Sequence, residues 1–540
     1  MRNLVSNSTI KNIILASIIT ALGSMLEILN LTYLTSLINY LLDSSTNNFL
    51  TVFSSKYDLS FQHLIIINIA ISCFATATIL FGNYRSIRIG QNVRSELAVN
   101  MSAKFIDQTI KSSKKLDPDE MTKEIVSETD AVVNFYIMPI INIINGGIFL
   151  LSITSYLIFT KNVLAISMMC LIITIFFFSY FILRRFVSIS ADKRNLYNSL
   201  RFKSVSESIR AQPDLLIYGL KNTAVRRIKE NFIQFSASLA NYNFITKLLR
   251  YLIEFSIFFG VLLFFLYSVD ANGFLKFDIA LIATSLFAFM KVIGPAQNIY
   301  NSLISFRFAE KTVKNYTRLI DIFEKNKLKV IAINNDLQVE KIIFTDVGFS
   351  FGDKKIFDKF NLNLNTNKRT ALIGESGSGK STLLSLISGL LEPDSGQITY
   401  EMSDGSICSP SPSIIPFVTQ DPFIFEGSLK KNIILQSHFD EITYKKALDT
   451  ACIQKLKYSL GDKMLAGYGA NLSGGQKQRI SLARALYKDR SFICLDEFTS
   501  ALDSKTESEI FKGLGLAKVG FVASTHKDYL LPLFDEIVEL

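Results

Sequence analysis

The sequence predicts an α-helical membrane domain with six spans, followed by an α/β domain. Apolar residues make up 49% of the chain, and the long apolar segments all lie before about residue 310. Residues 311–337 form a polar stretch rich in Lys and Asn, which is typical of a connector. From residue 338 to residue 540, short apolar strands alternate with glycine-containing loops and helical segments, as in an α/β fold. The predicted domains are therefore 1–310 and 338–540.

Six apolar segments are long enough to cross a membrane, since a hydrocarbon core requires about 20 helical residues. They lie near residues 12–42, 62–83, 134–159, 163–183, 249–269 and 277–300. The long connections 84–133 and 184–248 are rich in Lys and Arg and keep a helical spacing of apolar residues, whereas the short connections on the opposite side hold few basic residues. Because basic loops stay in the cytoplasm, we expect cytoplasmic termini in a bacterial-type inner (plasma) membrane.

The formal net charge of +10 has two interpretations, nucleic-acid binding or cytoplasmic Lys and Arg facing anionic lipid. The membrane spans favour the second, and we expect no nucleic-acid partner. Five cysteines lie far apart in the sequence, at Cys73, Cys170, Cys408, Cys452 and Cys494. Since no two of them show a paired spacing, we expect free thiols rather than disulfides or a metal site.

Ionisable residues inside membrane spans are costly, so each one suggests a function by default. Glu27 lies in the first predicted span, Glu254 in the fifth and Lys291 in the sixth. Glu254 follows Arg250 by four residues, so an ion pair within one helix near the cytoplasmic boundary would explain both residues. Glu27 and Lys291 lie nearer mid-span, where they either pair across the helices or line a translocation cavity. All four are candidate substrate-binding residues.

A glycine-rich loop between an apolar strand and a helix carries the first chemical motif of the α/β domain. Its glycines let successive backbone N–H groups turn inward, and the helix N-terminus behind them adds partial positive charge. Lys380 can then reach the β- and γ-phosphates of a nucleotide, and the hydroxyl of Ser381 can bind Mg²⁺. The loop consists of Gly374, Glu375, Ser376, Gly377, Ser378, Gly379, Lys380, Ser381 and Thr382.

Further polar groups occur where later strands and helices begin or end. Asp496, at the end of an apolar strand, suits Mg²⁺ coordination, and the adjacent Glu497 can take a proton from attacking water. His526 ends another apolar strand, where an imidazole can touch the γ-phosphate, and Gln420 offers an amide oxygen to Mg²⁺. A second anion-binding turn with a hydroxyl donor is predicted at Ser473, Gly474, Gly475 and Gln476.

With these motifs in this order, the C-terminal 200 or so residues resemble the nucleotide-binding domain of an ABC transporter. The resemblance implies an α/β P-loop NTPase (ABC ATPase) fold that binds ATP and Mg²⁺. It also implies that Glu497 and His526 are catalytic and that Phe351 stacks on adenine. In the terms of that family, Walker A is 374–382, the Q-loop residue is Gln420, the signature is 472–476, Walker B ends at Asp496, the D-loop is 500–503 and the switch histidine is His526.

The six-span half resembles the exporter type of this family in its layout. That resemblance implies spans that extend into the cytoplasm and two coupling helices that contact the ATPase, with 120–130 and 206–216 as the candidates. It also implies a dimer, since Walker A of one domain and the signature of the other enclose each ATP. One chain carries a single copy of each part and keeps every catalytic residue, so we expect a half-transporter that forms a homodimer with two competent sites.

Three features depart from the family pattern. Phe351 stands where Tyr is commoner, which keeps the stacking surface and removes a hydroxyl. The segment 467–471 lacks the acidic residue that exporters often place before the signature. Phe498 follows Glu497 where Ala is usual, and the sequence does not predict the effect of its bulk.

The sequence indicates the transported substrate only through one short match. Residues 248–254, which include Arg250 and Glu254, are similar to a pattern at the start of span five in lipid-linked oligosaccharide flippases of the PglK type. We therefore expect an ATP-driven exporter or flippase, a translocase that moves an amphiphilic lipid outward by alternating access. The alternatives are a peptide or small-drug exporter and an ATP-gated channel or sensor. The second alternative is disfavoured because such proteins often lose a catalytic residue.

Overall fold

The computed structural model describes residues 7–41, 61–113, 116–160, 163–268, 279–328, 337–435, 438–460, 464–465 and 469–540. The chain forms two compact units. The N-terminal unit comprises Met1–Ile106 and Leu116–Lys325, and the C-terminal unit comprises Asp107–Lys115 and Asn326–Leu540. The division at residue 325 falls within the connector expected at 311–337, and the short segment 107–115 groups with the C-terminal unit rather than with its neighbours in sequence.

Helices account for the regular structure of the described residues up to Lys325. Two π-helical segments, Glu124–Glu128 and Val133–Ile137, interrupt the chain on either side of a short helix. In chain order the helices are α1 (Asn7–Leu41), α2 (Phe61–Ile106), α3 (Ile110–Ser113), α4 (Pro118–Lys123), α5 (Thr129–Val132), α6 (Met138–Phe159), α7 (Val163–Arg210), α8 (Gln212–Ile217), α9 (Lys221–Ser268) and α10 (Ile279–Lys325).

Four helical stretches among the described residues are long and apolar enough to cross a membrane. They overlap the first four predicted spans. The predicted spans 249–269 and 277–300 coincide largely with α9 and α10, and residues 269–278 between these helices lie outside the described residues. As expected, α2, α7, α9 and α10 all continue as helix well beyond the predicted spans. The four apolar stretches are Asn7–Leu34, Gln62–Ile106, Pro118–Phe159 and Ile173–Arg210.

The first two long helices approach each other closely because both carry glycine at the contact. A Cβ atom on Gly23 of α1 would lie 2.6 Å from Cγ1 of Ile79, and one on Gly82 of α2 would lie 2.5 Å from Cγ2 of Thr20. Small residues allow helix backbones to pack tightly where lipid removes the hydrophobic driving force. Reciprocal glycines therefore fix the crossing of α1 and α2.

A buried ion pair crosslinks three helical elements of the N-terminal unit. Nη1 of Arg194 on α7 lies 2.5 Å from Oε2 of Glu128, and the two side chains are 6% and 5% exposed. The Glu128 carboxylate also accepts hydrogen bonds from Asn198 on α7 (2.5 Å) and from Thr312 on α10 (3.3 Å). Because the buried carboxylate has a cation and two further donors, its desolvation is compensated.

The structure corrects the first expected coupling helix. Within 120–130, Lys123, Glu124 and Glu128 are buried in the N-terminal unit, and Nζ of Lys123 lies 2.6 Å from Oε1 of Glu124. Lys123 also donates to the Ser199 hydroxyl at 2.8 Å, and Glu128 pairs with Arg194, so both bond to residues of α7 within the helix bundle. The part of this connection that groups with the C-terminal unit is Asp107–Lys115. The second candidate, 206–216, overlaps α8, which has no buried residue.

Two sheets form the core of the C-terminal unit, in agreement with the predicted α/β fold. An antiparallel sheet has the order β2-β1-β4-β5, and a parallel sheet has the order β6-β7-β8-β3-β9. The strands are β1 (Val339–Phe351), β2 (Lys354–Asn365), β3 (Arg369–Ile373), β4 (Ser395–Met402), β5 (Ile407–Cys408), β6 (Phe417–Val418), β7 (Phe492–Asp496), β8 (Gly520–Ser524) and β9 (Glu536–Glu539).

The parallel sheet positions the candidate site. Strands β7 and β8 are buried at every residue, which is typical of a sheet covered on both faces. Side chains that follow β3, β7 and β8 meet at the carboxyl edge of the sheet, where such folds bind ligands. Besides α3, the α-helices described in this unit are α11 (Lys380–Ile387), α12 (Leu429–Ile434), α13 (Glu441–Thr450), α14 (Gln454–Leu460), α15 (Gly474–Tyr487) and α16 (Ser504–Leu516).

The segment Asp107–Lys115 is held on the C-terminal unit by backbone and side-chain contacts. The Leu328 N–H donates to the Asp107 carbonyl at 2.8 Å. Nζ of Lys111 lies 2.5 Å from Oδ1 of Asp394 and 4.6 Å from the ring centre of Phe349. An ion pair and a cation–π contact on one ammonium group explain why this segment groups with the ATPase-like unit.

Candidate ATP-binding site

The glycine-rich loop joins β3 to α11 and depends on left-handed glycine conformations. Gly374, Gly377 and Gly379 have φ angles of +146°, +85° and +109°. L side chains rarely adopt such angles. In addition, a Cβ atom on Gly379 would lie 2.8 Å from Cγ2 of Ile356. The loop therefore has the strand, turn and helix geometry that its sequence predicts.

Polar groups of the loop suit the phosphates of a nucleotide. Nζ of the buried Lys380 donates to the carbonyls of Gly374 (2.8 Å) and Glu375 (2.9 Å). The Ser378 hydroxyl is buried and has no hydrogen-bond partner among the described residues. An ammonium group and a free hydroxyl donor in one loop fit phosphate oxygens, which accept several hydrogen bonds at once.

The predicted Mg²⁺ ligands meet at the ends of three elements. The Ser381 hydroxyl, at the start of α11, donates to Oδ1 of Asp496 at 3.0 Å, and the Ser524 hydroxyl donates to the same oxygen at 2.8 Å. Hydroxyl and carboxylate oxygens are the donors that Mg²⁺ prefers. Nε2 of Gln420 donates instead to Oε2 of Glu497 at 2.7 Å. Two of the three predicted ligands are thus in direct contact, and the third joins them through Glu497.

The two predicted catalytic residues are neighbours in space. Nε2 of His526 lies 3.3 Å from Oε1 of Glu497. Glu497 adopts a positive φ of 43°, and its backbone N–H donates to the Ser524 hydroxyl at 2.9 Å. A positive φ costs energy in a non-glycine residue and occurs preferentially at functional sites. The structure therefore brings Glu497 and His526 together, with Glu497 on a strained turn.

Phe498, whose effect the sequence left open, packs into the core. Its side chain is buried and meets the Phe511 ring edge-on, with ring centres 5.7 Å apart. The phenyl ring that stands in place of the usual Ala methyl group therefore fits in the core, against Phe511. It anchors the turn that presents Glu497.

The signature residues cap the N-terminus of α15. The Ser473 hydroxyl accepts from the Gln476 N–H at 3.3 Å, and Oε1 of Gln476 accepts from the Ser473 N–H at 2.9 Å. A Cβ atom on Gly475 would lie 2.6 Å from the Ala501 carbonyl oxygen, so the close approach of the D-loop requires glycine. No hydrogen bond among the described residues joins the signature to the P-loop of its own chain.

Two residues of the site were missed by sequence reasoning. Ser524 follows from topology, because it ends β8 directly beside Asp496 in the parallel sheet. Gln478 on α15 is buried and donates from Nε2 to the Gln420 carbonyl (3.1 Å) and to the Ser500 hydroxyl (3.0 Å). It connects the Q-loop to the D-loop, and no local pattern marks it.

The four candidate residues in the membrane spans form two predicted pairs, and only one of these pairs lies wholly within the described residues. Nζ of Lys291 on α10 lies 2.9 Å from Oε2 of Glu27 on α1, and these side chains are 46% and 8% exposed. The pairing across helices that the sequence allowed is therefore present. Glu254 is exposed on α9, and the side chain of Arg250 lies outside the described residues, so their pairing stays a prediction.

An apolar cavity of about 490 Å³ lies between α6, α7 and α10. Its size falls within the range of small-molecule sites, roughly 300–1,000 Å³. The buried hydroxyl of Tyr300 has no hydrogen-bond partner among the described residues. The lining consists of Gly147, Leu150, Leu151, Thr154, Met169, Ile173, Phe176, Phe177, Tyr180, Val292, Ala296, Ile299, Tyr300 and Leu303.

Phe351 ends β1 with 37% of its surface exposed and lies edge-on to Phe349, with ring centres 5.0 Å apart. We expect Phe351→Ala to weaken ATP binding by about 1–3 kcal/mol, the usual contribution of base–aromatic stacking. Phe351→Tyr, which keeps the ring, serves as the control and should bind like the wild type. Titration of a fluorescent ATP analogue measures both. Equal affinity in the Ala and Tyr variants would exclude stacking at this position.

Comparison with known protein families matches the part of the chain that carries most of these site residues. The sequence model of the ABC transporter family matches residues 357–500. The mycobactin import ATP-binding/permease protein IrtB of Mycolicibacterium thermoresistibile is 38% identical over 181 residues, which cover 32% of this chain and 31% of that protein. ABC transporter C family member 5 of Arabidopsis thaliana is 29% identical over 284 residues, or 48% of this chain and 18% of the relative. The chain thus spans under a third of the length of these relatives.

A solved structure extends the likeness to the helical unit. The structure of a bacterial Atm1-family ABC exporter with ATP bound aligns with 99% of this chain and 94% of its own chain, at a TM-score of 0.79 and 19% identity. The four long apolar helices of this chain, together with the shared fold, indicate an integral membrane protein. Residues 357–500 therefore match the ABC transporter family, and the chain as a whole has the fold of an ABC exporter.

Proposed function

We propose that this protein is an ATP-driven transporter of the inner (plasma) membrane that moves an amphiphilic substrate outward from the cytoplasmic side. The observation that carries the proposal is the cluster around Glu497, which accepts a hydrogen bond from Gln420 and lies beside His526. A residue that accepts a proton from water or orients it, next to a P-loop, is what phosphoryl transfer to water uses. Glu497 suits that role, with Gln420 and His526 beside it. Their retention disfavours an ATP-gated channel or sensor.

Hydrolysis follows from the positions of these side chains. Lys380 and the loop N–H groups bind the β- and γ-phosphates. Ser381, Gln420 and Asp496 would hold Mg²⁺, which would supply charge that neutralises the phosphates when bound. Water attacks the γ-phosphorus as the bond to the ADP oxygen breaks, and Glu497 accepts the proton that the water loses. His526 contacts the γ-phosphate.

We propose a homodimer as the working form. The signature at Ser473–Gln476 is not hydrogen-bonded to its own P-loop within the described residues, although its capped helix presents N–H groups for an anion. A second copy would place this signature against the nucleotide of the first, and two ATP molecules would then hold the dimer closed. Closure of the two ATPase domains would open the translocation pathway outward, and hydrolysis would separate the domains again.

The substrate proposal is a lipid with an anionic head group, such as a lipid-linked oligosaccharide. The half-exposed ammonium of Lys291, beside the buried Glu27, offers a cation at span depth. The apolar cavity between α6, α7 and α10 offers space for a hydrocarbon chain, and the unpaired Tyr300 hydroxyl can meet a polar atom near its end. Export of a peptide or drug is the second candidate. Because the relative IrtB is named as an import protein, the direction of transport across the membrane should be measured directly.

The experiment compares ATP turnover in lipid with and without a polyprenyl-diphosphate glycan. Wild-type protein should be stimulated. The double variant Glu27→Gln/Lys291→Met removes the cation without leaving a buried charge, so it should keep basal turnover and lose stimulation. Arg250→Ala should likewise lose flipping while keeping ATP turnover. Lys314→Gln, on the exposed part of α10, is the matched control. Stimulation by peptides or drugs alone would overturn the lipid substrate and leave the transporter mechanism intact.

A further inference from the structure

We infer that Lys527 is a positioning residue, which holds Glu497 and His526 at their mutual distance. The inference rests on the proposed ATP hydrolysis, to which it adds a group that the catalytic cluster itself does not contain. Lys527 directly follows His526, in the segment after β8. Its side chain points back across the turn that begins at Glu497.

Lys527 forms a second bridge between the loops that carry the two catalytic residues. Its Nζ donates to the carbonyl of Thr499 at 3.0 Å, and Thr499 lies two residues after Glu497. The first bridge is the 3.3 Å contact between Nε2 of His526 and Oε1 of Glu497. Two links between the same pair of loops restrict both the distance and the angle between the base and the histidine.

The ammonium of Lys527 is itself fixed by a fully buried carboxylate. The side chain of Glu507 on α16 is 0% exposed, and its two oxygens lie 3.1 and 3.2 Å from Nζ of Lys527. The Tyr529 hydroxyl donates to the same carboxylate at 2.6 Å. A buried carboxylate that loses its cation is strongly destabilising. Lys527 therefore cannot swing away without exposing or stranding the Glu507 charge.

The turn between the base and this anchor is short and already internally bonded. The Ser500 N–H donates to the Glu497 carbonyl at 3.0 Å, and the Leu502 N–H donates to the Thr499 carbonyl at 3.1 Å. Because these bonds make the turn move as one piece, a shift of the Thr499 carbonyl is passed to Glu497. The positive φ of Glu497 leaves little room to absorb such a shift.

The test separates positioning from mere structural support. Lys527→Met should lower kcat for ATP by about 10²-fold, the cost of an ångström-scale misplacement of catalytic groups. The KM for ATP should change less than about twofold, because Lys380 and Phe351 keep their places. A twofold change in KM corresponds to a free-energy difference well below that of a lost contact. Lys527→Arg should retain most of the wild-type kcat, since it can reach both partners. Lys512→Met, on the exposed face of α16, is the matched control.

A double variant excludes the alternative that Lys527 only neutralises Glu507. Lys527→Met/Glu507→Gln removes the buried charge, so its Tm should return toward that of the wild type while kcat stays low, because the bridge to Thr499 is still absent. Recovery of wild-type kcat in this double variant would overturn the inference, as would an unchanged kcat or a proportional rise of KM in Lys527→Met. If the wild-type protein itself hydrolyses no ATP, the proposed function fails first, and that result is distinct from either.

Discussion

Glu497→Gln is expected to lower the ATP turnover of this protein by about 10²–10⁴-fold, the range over which a positioned general base contributes. The amide cannot accept the proton of the attacking water, although it can still accept the Gln420 hydrogen bond seen at 2.7 Å. ATP should bind with nearly unchanged affinity, because Lys380 and the loop N–H groups make the phosphate contacts. Phosphate release and ATP binding measure the two effects separately.

The exposed Glu509→Gln on α16 is the control for this substitution, and it should behave like the wild type. Turnover that survives Glu497→Gln within a factor of a few would assign the base to another group. Loss of ATP binding together with turnover would instead indicate that Glu497 supports the nucleotide pocket.

Arg194→Met is expected to cause the largest loss of stability in the helical unit, about 3–5 kcal/mol. It leaves the carboxylate of Glu128 buried without its cation, since Nη1 of Arg194 lies 2.5 Å from Oε2 of Glu128. Asn198 and Thr312 would still donate to the carboxylate, but neutral donors do not balance a buried charge. A lower Tm of the purified protein in detergent is the readout.

The double variant Arg194→Met/Glu128→Gln removes the charge as well as its partner. We expect it to unfold at a temperature between those of the single variant and the wild type, because no isolated charge remains. If Arg194→Met melts with the wild type, the buried pair does not crosslink the helices in the way that its geometry indicates.

The order of motifs made the C-terminal fold and much of its site predictable. Each motif is a short stretch whose chemistry depends on its own residues, and a parallel sheet brings the ends of separate strands to one edge. The contact of Ser381 with Asp496 and that of Glu497 with His526 both follow from this rule. Helix lengths beyond the spans were predictable for a similar reason, since apolar periodicity is local.

What the sequence did not predict depends on distant partners. The stretch 120–130 was expected to contact the ATPase as a coupling helix, but its Lys123 and Glu128 bond to residues of α7 and are buried in the N-terminal unit. No local pattern marks Lys527 and Glu507, although the structure pairs the fully buried Glu507 carboxylate with the Lys527 ammonium. The local sequence shows where a charge lies but not which residue pairs with it. The transported substrate depends on side chains that meet only in the folded chain, so it was not predictable from the sequence in the same way.

The measurement that tests the central claim most directly is translocation in proteoliposomes. A polyprenyl-diphosphate glycan with a fluorescent label is quenched from outside, and vesicles are chosen in which the ATPase domain faces the added ATP. We predict ATP-dependent movement of the label away from the ATPase side, absent in Glu497→Gln and in Glu27→Gln/Lys291→Met. ATP hydrolysis without movement of this lipid, or of any peptide or drug tried in its place, would contradict the transporter account.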